Sequence, residues 1–137
     1  MRVLALDLGA RRIGVALSDS TGTLATPYTV IERSGDPAAD RRVVARLVEE
    51  SGAERLVVGL PVGLSGADGA AATAAREEAR LLAAVVGVPV EMADERLTTV
   101  EAARRRRARG RSGRGGIDAE AAAVLLESWL ASHRATS

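Results

Sequence analysis

The chain has 137 residues, 47% apolar and 27% charged, and a net charge of +1, enough for one layered domain around a single core. It contains no Cys, one His (His133), no Phe and 19 basic residues that are all Arg. This excludes disulfides, thiolate catalysis and Cys-based zinc, and leaves little for a His-based metal cluster. Carboxylates, hydroxyls, backbone amides and guanidinium groups remain, a set suited to phosphate chemistry with a hard metal ion. The uniform use of Arg reads as a genomic composition bias. No apolar stretch reaches the length of a membrane span. The first apolar run is interrupted at Asp7 and Gly9, so it is not read as a signal peptide; a cytoplasmic location without membrane association is expected.

Arg2 to Leu8 (RVLALDL) predicts a buried strand closed by Gly9. Ile13 to Ser18 (IGVALS) follows so closely that the two strands must form an antiparallel hairpin. A weaker third strand is expected from about Tyr28 to Glu32, with Pro27 marking an edge or a strand start. Asp36 and Pro37 open a helix as N-cap and first residue; Val43, Val44, Leu47 and Val48 form its apolar stripe and Gly52 ends it. Arg55 to Leu60 is a buried strand stopped by Pro61, followed by a loop containing Gly63, Gly66 and Gly69. An Ala-rich helix is expected from about Ala70 to Val86, with Leu81, Leu82 and Val85 facing inward. Pro89 to Ala93 reads as a fifth strand and Leu97 to Arg109 as a third helix. The Gly-rich segment 110–116 leads to a last helix, Asp118 to His133. That helix buries Ala122, Leu125, Leu126, Trp129 and Leu130 and leaves His133 at a frayed surface end. The order β-β-β-α-β-α-β-α-α predicts an α/β fold with a mixed sheet in one domain, residues 1–137.

Sites in such sheets form at the carboxyl ends of the parallel strands. Asp7 stands there, inside an otherwise apolar run, where it reads equally as a turn cap or as a functional acid. Asp94 and Glu95 close the fifth strand; alone they would pass for a surface pair or caps. Thr98, three residues before Glu101, meets the capping need instead. Asp118 opens the last helix, a common place for an N-cap. Taken together, acids converging on one edge repel unless a divalent cation neutralises them. Mg²⁺ or Mn²⁺ with a phosphate substrate is the expected use, in two-metal phosphodiester chemistry.

The segments LALDLGARRIGVALSD (4–19), VVGLPVGLSGADG (57–69), ADERLTTVEA (93–102) and IDAEAAAVLLESWL (117–130) together resemble the YqgF family. This is the Holliday-junction-resolvase-like, or pre-16S rRNA nuclease, family. The likeness runs nearly end to end and in order. It implies a ribonuclease H-like fold with a five-stranded mixed sheet of order 3-2-1-4-5, strand two antiparallel, flanked by helices. It also implies a cytoplasmic nuclease acting in 5′-end maturation of 16S rRNA. Asp7 then corresponds to the first-strand catalytic acid, Glu95 to the acid of the DER motif and Asp118 to the acid opening the last helix. These three would hold the metal, together with Asp94, the second carboxylate of that motif. Residues 104–109 are richer in Arg, and the loop after them richer in Gly, than the family pattern suggests.

Charge is unevenly spread. Residues 1–101 carry 11 Arg against 15 acids, whereas 102–117 carry seven Arg (Arg104, Arg105, Arg106, Arg107, Arg109, Arg111 and Arg114) and no acid. The cluster reads either as a solvated helix end or as a sequence-blind grip on nucleic-acid phosphates, salt-sensitive in the second case. Arg11 and Arg12 could join that grip or simply decorate the hairpin turn. The expected partner is precursor rRNA in its ribosomal context, with single-stranded or branched DNA as the alternative and a homodimer as one allowed assembly. Two rivals stand beside a nuclease. One is an actin-like ATPase, suggested by Asp7, Gly9 and Gly14, which 137 residues are too few to complete. The other is a non-catalytic RNA-binding assembly factor.

Overall fold

The structure is a computed structural model that describes residues 1–61, 69–94 and 116–136, with 116–118 and 134–136 described by backbone alone. The expected Leu97–Arg109 helix, Thr98 and most of the loop after Pro61 lie outside the described residues. The elements are β1 (Val3–Leu8), β2 (Arg12–Ser18), β3 (Ala25–Glu32), α1 (Pro37–Ser51), β4 (Arg55–Leu60), α2 (Ala70–Ala83), β5 (Val90–Asp94) and α3 (Gly116–Thr136).

The five strands form one sheet in the order β3-β2-β1-β4-β5. β2 runs antiparallel to both neighbours, while β1, β4 and β5 are parallel. This is the expected order. Central β1 is buried on both faces, and alternate side chains enter different cores. Leu4 and Leu6 join Ile13, Val15, Leu56 and Val58 beneath α1 and α2. Val3 and Ala5 join Ala16, Val57 and Ala93 beneath α3, where Ala122, Ala123, Leu126 and Trp129 cover them.

Local chemistry explains most boundaries. Asp36 caps α1 by accepting from the N–H groups of Ala38 and Ala39, and Gly52 closes it at φ +73°, a left-handed turn suited to Gly. β3 begins earlier than expected and includes Pro27, which is tolerated because β3 is an edge strand. The register shifts there, so that Thr29 pairs with Val15 and Pro27 with Ala16. α2 ends at Ala83, and helical periodicity fails beyond it: Val85 is exposed and Val86 takes the inward place. His133 is not frayed. Its ring stacks on Trp129 with centroids 3.7 Å apart, and its Nε2 lies 3.8 Å from Glu91.

The direction of α3 follows from its late contacts. A side chain at Gly22 would meet both the Met1 carbonyl and Leu130, and His133 approaches Glu91 near the start of β5. The C-terminal half of α3 therefore lies over the strands' N-terminal ends. From Leu130 back to Asp118 the helix rises about 18 Å, and from Met1 to Asp7 an extended strand covers about 20 Å. The first turn of α3 thus comes toward the end of the sheet at which β1, β4 and β5 finish.

Candidate active site

Asp7 is the penultimate residue of β1 and half-buried. Val3 and Ala5 lie in the core under α3, so strand alternation puts Asp7 on that same face, at the carboxyl end of the sheet. Asp118 lies in the first turn of α3, and its backbone is brought to the same end and the same face. Glu95 directly follows β5 and lies outside the described residues.

Asp94 goes the other way. Its register partner is Leu60, and Met92 beside Val58 packs in the core under α1 and α2. Alternation therefore sends Asp94 to the face opposite Asp7. It is half-buried and, like Asp7, engages another group. By strand alternation Asp7 lies on the face that α3 covers and Asp94 on the opposite face. Among the described residues no three potential metal ligands cluster, and two of the three proposed acids have side chains outside that description.

The neighbours of Asp7 in the sheet were missed by motif reading. Asp7 pairs with Gly14 on β2, and Gly14 with Val30 on β3. One residue beyond the Leu6–Val58 pair, Gly59 stands beside Asp7 on β4; Gly59 then pairs with Ala93 on β5. The acid is thus flanked on both sides by glycine, and both glycines are buried. A Gly inside each of two strand patterns was the available signal.

The turn after Asp7 is held by other groups. The Gly9 N–H donates to the Arg12 carbonyl at 2.9 Å, and a Cβ on Gly9 would stand 2.5 Å from that oxygen, so the turn requires Gly. Arg33 reaches from the end of β3 and donates through Nε to the Gly9 carbonyl at 2.7 Å, while its N–H donates to the Arg11 carbonyl. Arg33 was not anticipated, because a lone Arg after a strand carries no sequence signal for such a brace. Of the two hairpin arginines, Arg12 pairs with Glu32 across the strands at 2.7 Å. Arg11 is exposed and lines a depression of about 430 Å³ with Arg33, Pro37 and Asp40, on the α1 side of the hairpin. The Arg104–Arg114 cluster lies outside the described residues.

Behind the turn, Asp40 is a buried carboxylate that accepts from the Ser34 N–H and hydroxyl and ties the start of α1 to the end of β3. Beside it, Arg41 and Glu78 form a two-bonded pair at 2.8 and 3.0 Å between α1 and α2. Hydrogen bonding to Glu78 raises the Arg41 pKa further. These groups support the framework on the face away from Asp7.

The family profile RuvX, described as Holliday junction resolvase, matches residues 1–132. A protein of Leifsonia xyli is 46% identical over 137 residues, covering 98% of this chain and 88% of its own. One of Anaeromyxobacter dehalogenans is 46% identical over 133 residues, covering 95% and 96%. Both carry the name "Putative pre-16S rRNA nuclease". Among solved structures, T. thermophilus RuvC in complex with Holliday junction substrate superposes with a TM-score of 0.68 at 19% identity. That match covers 100% of this chain and 98% of the other. It shows a shared fold, the ribonuclease H-like fold.

Proposed function

The chain belongs to the RuvX family of Holliday junction resolvases, and on that premise we propose that it is a divalent-metal-dependent nuclease that trims precursor 16S rRNA in the cytoplasm. What supports the reading is Asp7 at the carboxyl end of β1, on the sheet face that α3 covers. The donor set fits a hard cation: carboxylate oxygens at strand and helix ends, with neither Cys nor a His cluster in the chain.

Asp7, Glu95 and Asp118 would hold Mg²⁺ or Mn²⁺; Asp94, on the other face, is left out of the set. Bound metal supplies an activated water and charge neutralisation at the phosphate. The chain's own part is to fix the acids on a rigid strand and helix, with the β1–β2 turn braced by Arg33. Arg104 to Arg114 would hold the nucleic-acid backbone without reading sequence.

The test is cleavage of precursor 16S rRNA, single-stranded DNA and four-way junctions, each with and without Mg²⁺ or Mn²⁺, by the native chain and by Asp7→Asn. Metal-dependent cutting of the RNA that Asp7→Asn abolishes supports the reading. Preference for junctions moves the substrate to branched DNA, and binding of RNA without metal-dependent cutting leaves an assembly factor.

A further inference from the structure

We infer that Gly14 and Gly59 are positioning residues of the acidic site, placing no strand side chain level with Asp7 so that its carboxylate can take part in holding a hydrated cation; this rests on the reading of Asp7 as a metal-holding acid. The register is the observation. Asp7 pairs with Gly14, and Gly14 with Val30; on the other side the β1–β4 register ends at Leu6–Val58, and one step further along both strands sets Gly59, the partner of Ala93, level with Asp7. The row lies on the α3 face, since Ala16 and Val57, two residues along the same strands, are buried in that core.

A glycine inside a strand is a poor choice on propensity alone, and two in neighbouring strands at one level need a reason. Elsewhere on these strands the chain uses side chains. β2 carries Ile13, Val15, Ala16 and Leu17, and β4 carries Leu56, Val57 and Val58. The exceptions stand level with Asp7, the one acid in β1 and β4.

An added methyl at Gly14 would stand about 4.5–5.5 Å from the Cβ of Asp7, and one at Gly59 would rise from the parallel neighbour strand, about 4.8 Å away. A carboxylate with that space filled has fewer rotamers. A cation such as Mg²⁺, which keeps several of its waters and demands near-octahedral order, then loses room for them. Both glycines are buried, so an added methyl cannot simply turn to solvent. The alternative is that they only let the sheet pack closely, in which case the same substitutions would lower stability and leave metal binding alone.

Mn²⁺ titration separates these, read by calorimetry and by the rise in Tm that the ion causes. The chains compared are the native one, Gly14→Ala, Gly59→Ala, Asp7→Asn and a packing control, Ala16→Ser, on the same face. The expected result is a roughly 10–100-fold loss of Mn²⁺ affinity in each glycine variant, with a kcat loss that excess Mn²⁺ partly restores. Ala16→Ser lowers Tm and keeps native affinity. Glycine variants that bind Mn²⁺ as the native chain does, or that both fail to fold, overturn the inference. Native Mn²⁺ binding by Asp7→Asn overturns the reading of the site itself, which is a different failure.

Discussion

The first hairpin carries an aspartate at each end: Asp7 at the close of β1 and Asp19 just after β2, at opposite ends of the sheet. Asp19 serves its own turn. It accepts from the Thr21 hydroxyl and from the N–H groups of Thr23 and Leu24, and the Leu24 carbonyl closes the loop by accepting from the Asp19 N–H. At the other end, the turn after Asp7 is closed by Gly9, Arg12 and Arg33, and Asp7 sits two residues before Gly9, level with Gly14 and Gly59 on the neighbouring strands. Two carboxylates of the same type at similar places in the pattern thus divide the work. One satisfies the turn, and the other is kept on the face where α3 begins.

The sharpest way to break that contrast is to neutralise each acid in turn. Asp7→Asn should cost cleavage roughly 10²–10⁴-fold, the scale of removing one strong contributor to transition-state charge stabilisation. Asp19→Asn should leave turnover within about twofold, as a change distant from the site should. Rates measured on the same RNA, with thermal melts to confirm folding, decide it; equal losses in both would dissolve the distinction.

The two faces of the sheet extend the comparison. Trp129→Ala removes the largest side chain covering the α3 face and should cost about 3–5 kcal/mol. Because α3 also carries Asp118, activity per folded molecule should fall with it. Leu56→Ala, in the core under α1 and α2, should cost about 2–5 kcal/mol while the folded fraction keeps its rate. Denaturant titration beside single-turnover cleavage at low temperature separates the outcomes. Next in size is Arg33→Ala, which removes the brace on the Gly9 carbonyl. A loss of about 1–3 kcal/mol is expected for a charge-assisted bond whose acceptor is left partly buried. Amide exchange should quicken first in residues 9–12.

How much of this could be read beforehand depended on whether the deciding physics was local. The caps of α1 were legible because Asp36, Pro37 and Gly52 act on their own backbone. The strand order and the three acids were implied by motifs that run nearly the length of the chain, and the sheet confirms the order. Pairing register was not legible, since nothing in either glycine's own neighbourhood says that it will stand beside Asp7. The same limit hid the Arg33 brace and the stacking of His133 on Trp129. Val85 was misread for the opposite reason. Its apolar character continued a helical stripe, but the helix stopped at Ala83 and the next turn handed the inward position to Val86.

Acid titration gives the smallest effect and the cleanest contrast between the hairpin ends. The Thr21 hydroxyl foremost, then the N–H groups of Leu24 and Thr23, pull the Asp19 carboxyl from 3.8 down to about 2. A folded-state pKa below the unfolded one means that the unfolded chain binds the proton first as pH falls. The stabilisation is therefore fully present above about pH 4 and is lost as pH falls toward 2. Asp19 sits in a surface turn, so the contribution is small and screened by salt. Asp19→Asn should flatten the stability profile only in that window. Thr21→Val should move the carboxyl back toward its ordinary value, followed by carbon-detected titration of Asp19. Neither change should alter the metal dependence of cleavage, because the groups that fix Asp19 all belong to its own turn, at the end of the sheet away from Asp7.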